Sequence, residues 1–374
     1  MIRWARAIVA CSIVMLVSAS SSPGYGRFYS IKHPELILKS DQRTVDVLAY
    51  STNGQQIALV GDTGEVEVWD ISTARRLHTF KGSSKVFTVA FAPDGQHLAT
   101  STADNKINIW QLQGDELPFS FEAPGGPVYS IGYTPDGNRI AAGCRDGMIR
   151  LYSTGGQLLH VFGDIIAGIA VFDSPSGARI AALEAQGLRM WDAETGEPVL
   201  TRALHLFPWL FPNMHHGGLT QNPMFFLSPR ADFVAAATDP APGSSPPGIY
   251  LLTVWNTVTD RKAIEQPGFG SPLFAFSARG NTIAESSLSG ISAIDIETRR
   301  ELHRYAIVEP WVRSLGFSPD VKWIASGHAD GAVRIWKVDR SRHVEYRRPK
   351  RVCHPPVVGR LRGGWPDEPE QVTR

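Results

Sequence analysis

Residues Phe317–Trp336 read FSPDVKWIASGHADGAVRIW. Two turn signals, Ser318–Asp320 and Ala329–Gly331, divide the stretch into three short runs rich in Ile, Val, Ala and Trp. Pro, Asp and Gly favour tight turns, and β-branched and aromatic residues favour pleated strands, so the stretch predicts an antiparallel meander. Three such strands leave two apolar faces uncovered. If the unit recurs, its copies must stack on one another.

It does recur. From about Leu36 onward the closing position returns as Trp69, Trp110, Tyr152, Trp191, Trp255, Ile294 and Trp336, at spacings of 41, 42, 39, 64, 39 and 42 residues. An upstream turn keeps the same phase at Gly54, Gly95, Gly137, Gly177, Gly280 and Val321, and the fifth copy keeps Ser228-Pro229-Arg230-Ala231. A period near 42 with Pro and Gly punctuation fits four-stranded blades and excludes helical solenoids. The expected fold is all-β, a seven-bladed β-propeller of four-stranded antiparallel blades over residues 36–338. Leu36-Ile37-Leu38 lies where an outer strand should, so this N-terminal strand is expected to close blade seven, with Val344-Glu345-Tyr346 as the competing segment.

Trp69-Asp70, Trp191-Asp192, FAPDG at 91–95, YTPDG at 133–137 and FSPD at 317–320 identify what the repeat resembles. It is similar to the WD-repeat β-propeller family, in a divergent, bacterial-type form. The Asp of the family's b–c turn is matched at Asp62, Asp104, Asp146 and Asp330, while the Gly-His of its d–a loop is replaced by Gly82-Ser83 and Pro124-Gly125-Gly126. These departures imply that the family's buried Asp–His–Ser–Trp network does not form as such and that packing between blades holds the ring. The resemblance implies a protein-interaction scaffold.

A hydrophobic content of 43% with 20% charged residues is that of a globular protein. Cys11, Cys144 and Cys353 show no paired spacing, so neither a zinc cluster, a redox motif nor a disulfide framework is expected. Arg3 and Arg6 precede an apolar run, Ala7–Val17, that ends in small residues, which is the pattern of a secretory signal peptide over 1–19. The run is shorter than the roughly 20 residues of a spanning helix. The chain is therefore expected to be extracytoplasmic, periplasmic or secreted, with an uncleaved N-terminal membrane anchor as the alternative. Residues 20–35 read as a short linker. The 339–374 tail is expected to be disordered: Arg340–Arg362 carries eight Lys or Arg against Glu345, while the repeat region is left near −6. Membrane contact is expected only through an uncleaved leader or this tail, and nucleic acid is not expected as a partner.

Two extra segments interrupt the repeat, FPWLFPNMHHGGLT at 207–220 and DPAPGSSPPG at 239–248. With strands lettered a to d in each blade, the first is a d–a connection and the second a b–c connection of blade five. Strand parity puts both on one face. Phe207, Trp209, Leu210, Phe211, Met214, His215 and His216 form an aromatic, apolar segment suited either to contact a protein or peptide partner or to pack under its own loop. Adjacent histidines point to opposite sides of an extended chain, so no metal site is expected, and no cofactor. Hydrolase, zincin, P-loop and dinucleotide motifs are missing from the sequence. Asp46, Thr88, Ser130 and Arg313 are scattered polar members of the innermost strands, which suggests a wet channel and no reactive centre. The expected protein is a monomeric, non-catalytic, exported scaffold. The alternative is a hydrolase- or lactonase-like propeller, or a small-molecule binder, that uses the central channel.

Overall fold

A computed structural model describes residues 33–338, apart from 83, 114–117, 164, 175–176, 185–186, 204–224, 239–248, 270–272, 288–289 and 306–310. The leader, the tail and the Val344–Tyr346 segment lie outside these residues. All 28 described elements are strands.

The first strand, β1 (Leu36–Lys39), precedes blade one, which is β2 (Val45–Tyr50), β3 (Gln56–Gly61), β4 (Glu65–Asp70) and β5 (Arg75–Lys81). Blade two follows as β6 (Val86–Phe91), β7 (His97–Thr102), β8 (Lys106–Gln111) and β9 (Phe119–Glu122). Blade three holds β10 (Val128–Tyr133), β11 (Arg139–Cys144), β12 (Ile149–Ser153) and β13 (Leu158–Phe162). In blade four these become β14 (Ile165–Ser174), β15 (Gly177–Glu184), β16 (Gly187–Asp192) and β17 (Pro198–Ala203). Blade five contains β18 (Phe225–Leu227), β19 (Phe233–Thr238), β20 (Ile249–Asn256) and β21 (Arg261–Phe269). Blade six is made of β22 (Leu273–Phe276), β23 (Thr282–Ser287), β24 (Gly290–Asp295) and β25 (Arg300–Tyr305). The last blade has β26 (Val312–Phe317), β27 (Trp323–His328) and β28 (Ala332–Lys337), and its fourth strand is β1.

The antiparallel register Leu36↔Ile335 to Lys39↔Ala332 makes the N-terminal strand the outer strand of blade seven. Inner strands of consecutive blades touch all the way round, from β2 through β6, β10, β14, β18 and β22 to β26 and back to β2. The ring is therefore closed, and no blade is left with an exposed face.

The apolar core divides accordingly into seven clusters, one at each blade junction. At four junctions an aromatic residue from the outer strand of one blade packs on the closing aromatic of the next. These are Phe80–Trp110, Phe121–Tyr152, Phe162–Trp191 and Tyr305–Trp336, with ring centroids 4.9–5.2 Å apart. Small residues on the second strands let these side chains in. Ala141 is fully buried among Ile149, Leu151, Phe162, Ile180 and Trp191. Ala141→Leu is expected to overpack this junction and cost about 1–3 kcal/mol, read as a lower melting temperature with an unchanged far-UV spectrum.

The a–b turns repeat one backbone device. The position marked by glycine in most blades takes positive φ in all seven, including Ala231 (57°) and Val321 (59°). A β-branched residue in that region is a genuine outlier, and the left-handed conformation costs roughly 1–2 kcal/mol. Val321 is nevertheless buried against Phe317, Ile324 and Trp336, so it is more than a neutral turn substitution.

The residue after the closing aromatic governs the c–d turn. Asp70, Asp192, Asn256 and Asp295 each accept the backbone N–H three residues on, at 2.8–2.9 Å. At Asp192 the N–H of Thr195, then that of Glu194 and the Arg179 guanidinium, outweigh burial and lower the carboxyl from its ordinary 3.8 to about 2. A carboxyl depressed in the folded state stabilises above its unfolded value and loses that contribution as pH falls through the folded one. Part of the stability is thus expected to vanish between pH about 4 and 2. Asp192→Asn should flatten the stability–pH curve in that window while leaving its shape at neutral pH unchanged.

Candidate functional site

Phe207, Trp209, Leu210, Phe211, Met214, His215 and His216 lie outside the described residues, as do residues 239–248. The strands that bracket them are described. β17 ends at Ala203 opposite Gly187, just after the b–c connection of blade four. β18 opens with Phe225 opposite Ala236, and β19 ends where Thr238 pairs with Leu251 of β20. All of these strand ends therefore lie on the edge of the ring from which b–c and d–a connections leave.

The same edge is built differently from the rest of the ring. Inner strands slip register at Val45/Val47, Val86/Thr88, Val128/Ser130, Ile165/Ala167 and Val312/Ser314. A bulge leaves one residue unpaired and re-aims its side chain. Asp46, Phe87, Tyr129 and Arg313 are residues of this kind. They lie near the starts of strands that form the channel wall, and so at the channel mouth.

Cross-blade contacts follow. Arg313 of blade seven forms an ion pair with Asp46 of blade one. Phe87 and Tyr129, from blades two and three, meet edge to face at 5.5 Å. The Lys85 ammonium stands 6.0 Å from the Phe87 ring centre, within cation–π range. Trp311, directly before β26, is 68% exposed while its carbonyl accepts the Ala329 N–H at 3.0 Å.

Asp46 and Arg313, which the sequence offered only as scattered polar residues, are thus joined. Thr88 and Ser130 fall back into register just beyond the bulges. The contribution of Phe87, Tyr129 and Trp311 was missed. Its sequence signal is the shared start VDV, VFT, VYS and VRS, where a polar or aromatic residue follows Val.

Carboxylates around this edge are engaged in holding turns. Asp146 takes a forked bond from Arg150 (3.0 and 2.6 Å) and Asp330 one from Arg334 (3.1 and 2.7 Å). Burial pushes both carboxyls up, but the arginine and backbone N–H bonds outweigh it and hold them below the usual range. The Glu67 side chain is fully buried and accepts Ser40 Oγ at 2.9 Å and the Trp69 indole N–H at 2.8 Å, with Arg76 3.4 Å away. Those bonds tie the crossover from blade seven to blade one. Cys144 is buried, and burial raises its thiol pKa, which disfavours the reactive thiolate. Among the described residues no three His, Cys, Asp or Glu side chains converge to hold a metal ion.

The family's network does not form as such, but a variant of it does. Blade seven does assemble a buried Trp–Ser–His chain, in which Trp336 Nε1 donates to Ser326 Oγ at 2.9 Å and Ser326 Oγ lies 2.8 Å from His328 Nε2. The imidazole comes from the second strand, so the missing Gly-His of the d–a loop did not forbid it. Blade two keeps the first half, with Trp110 Nε1 donating to Thr100 Oγ1 at 3.0 Å.

Comparison with known proteins agrees with this construction. The family model for the WD domain, G-beta repeat, matches residues 74–111, 116–153 and 303–337. Each match runs from the outer strand of one blade to the third strand of the next, across a junction with a packed, tilted aromatic pair. The chain is 20% identical to human Striatin-4 over 88% of its own length and 40% of that protein's. It is 27% identical to guanine nucleotide-binding protein subunit beta-1 of Drosophila melanogaster over 31% of this chain and 34% of that one. It is also 29% identical to Autophagy-related protein 18 of Meyerozyma guilliermondii over 22% of this chain and 15% of that one. The chain thus spans well under half the length of these relatives. Seven four-stranded blades closed by the N-terminal strand make this chain a β-propeller, and three of its repeats match the WD domain.

Proposed function

We propose that this chain is an exported, non-catalytic scaffold that holds a protein or peptide partner on the ring edge carrying the blade-five connections. One observation carries the reading: the strand ends bracketing both departures from the repeat open on the same edge as the bulged channel mouth and the exposed Trp311. Aromatic side chains on a rigid frame are favoured interface anchors, because they add contact area at little entropic cost. Similarity to a protein named as a subunit of a larger assembly supports the same class of function.

Cross-linking of the native full-length chain followed by pull-down tests the proposal. Trp209→Ala combined with Phe211→Ala is expected to reduce partner recovery at least tenfold while the melting temperature stays unchanged. Undiminished recovery would exclude the segment as the binding surface, and a collapsed melt would show that it packs structurally. Export predicts a mature chain starting near Ser20 outside the cytoplasm. Detection of intact Met1 in the cytosol alone would overturn that part.

A further inference from the structure

Charge is spread unevenly around the channel mouth. On the edge where d–a and b–c connections leave, Arg43, Lys81, Lys106, Arg150, Arg313 and Arg334 each have a carboxylate within 4.0 Å. By contrast, Lys85 and Arg145 are exposed and form no ion pair among the described residues. Both stand beside the aromatic contact between blades two and three. Lys85 lies two residues before Phe87, with its ammonium 6.0 Å from that ring's centre. The Arg145 N–H donates to the carbonyl of Pro127, two residues before Tyr129, at 2.9 Å. The acids of these two b–c turns are already taken, Asp104 by Lys106 and Asp146 by Arg150. The Pro124-Gly125-Gly126 loop closes against the second pair. A Cβ on Gly125 would stand 2.3 Å from Asp146 Oδ2 and 2.5 Å from an Arg150 nitrogen, at φ +106°, so the loop needs glycine there.

We infer that this sector of the mouth binds an acidic peptide segment of the partner. Its carboxylates meet Lys85 and Arg145, and one of its apolar or aromatic side chains covers the Phe87–Tyr129 pair. The inference deepens the scaffold reading above and rests on it. Charge selects the occupant. The repeat region carries a net charge near −6, so unpaired cations on adjacent blades reverse its sign locally. The chain's own terminal segments are basic, with Arg3 and Arg6 at one end and the Arg340–Arg362 run at the other, and this patch would repel them. A polynucleotide would carry its charge onto the acidic ring beyond the patch, whereas a short acidic segment needs only the two cations. Both rings are half-buried, which leaves part of each for a ligand. They stand on bulged strands of the closed ring, so the surface is formed before a partner arrives and little ordering cost is left to binding.

Fluorescence anisotropy of the full-length chain with a labelled Glu-Glu-Trp-Glu-Glu peptide tests the inference. The wild type is expected to bind it saturably, more weakly as salt rises, and to bind the Lys-Lys-Trp-Lys-Lys counterpart about tenfold less tightly or worse. Lys85→Glu combined with Arg145→Glu should weaken binding by about tenfold or more, and Phe87→Ala by a smaller factor. Arg300→Glu changes an exposed cation at the start of β25, on the opposite edge, and should bind like the wild type. Melting temperatures check folding, and where charge reversal lowers one, the neutral pair Lys85→Gln and Arg145→Gln gives the same reading. No binding by the wild type, equal binding of the two peptides, or tighter binding of a short oligothymidylate would overturn the inference. So would undiminished binding by the double variant or an equal loss in Arg300→Glu. The titration reads the mouth alone, so it can fail while partner recovery still depends on Trp209 and Phe211, and it can succeed where that dependence fails.

Discussion

Gly331→Ala is expected to destabilise the ring by about 2–5 kcal/mol. Gly331 lies in the b–c turn of blade seven at φ +73°, and a Cβ there would stand 1.9 Å from the backbone oxygen of Gln42. Its carbonyl already accepts the Ser40 N–H at 3.1 Å, so the turn and the crossover from β1 to β2 are locked face to face. On the other side of the same crossover, a Cβ on Gly61 would come within 1.8 Å of the Thr44 oxygen. The chain from Ser40 to Thr44 thus threads between two glycines, where neither side can yield without moving backbone. Left-handed strain contributes roughly 1–2 kcal/mol and forced displacement another 1–3 or more. Gly95→Ala separates the two effects, since Gly95 has φ +67° but nothing within 4 Å of its Cβ position. It should lose only the strain component. Denaturant melts of both variants decide the matter: if Gly331→Ala is no less stable than Gly95→Ala, the crossover is not the tight joint described here.

The blade count and the closing strand were legible because a meander is local. Each strand pairs with its neighbour in sequence, and the nine-residue offset of Leu36–Leu38 from Val45 repeats that of Leu77 from Val86. The features that join distant segments were not legible. Nothing near Gly331 in sequence announces Gln42, which approaches it only once the ring is closed. The bulges at Asp46, Phe87, Tyr129 and Arg313 break a period-2 pattern by one residue, too little to stand out from ordinary variation in short strands. His328 went unnoticed as a partner of Ser326 because the family's histidine comes from another loop, while the contact needs only an imidazole within reach. Val321 is marked in the sequence only as a turn position in phase with the glycines of the other blades, because sequence shows neither φ nor the junction core into which its side chain packs. The segment at 207–220 could be nominated only as a departure from the repeat. A departure marks where the ring does not dictate the residues, and the chemistry of Trp209 and Phe211 supplies the rest of that argument.

In blade seven, Ser326→Ala is expected to cost about 1–3 kcal/mol, because it leaves the buried Trp336 N–H without the oxygen it donates to and removes a neighbour of His328. Trp336→Ala should cost more, about 3–5 kcal/mol, since the ring also packs at a tilt on Tyr305, centroids 5.2 Å apart, and is buried at the junction of blades six and seven. The informative variant is Trp336→Phe, which keeps much of the packing and deletes the N–H. If the indole, the hydroxyl and the imidazole act as one chain, Ser326→Ala should be less costly when combined with Trp336→Phe than alone, with a coupling of about 0.5–3 kcal/mol. Blade two provides the contrast. Thr100 accepts from Trp110 with a threonine, Thr102, where blade seven has His328, so Thr100→Ala should cost less than Ser326→Ala. Additive losses in blade seven would mean that the three side chains share a junction without forming a network. Coupled losses would locate in this most regular blade the polar tie that helps to hold the closing strand's partner in place.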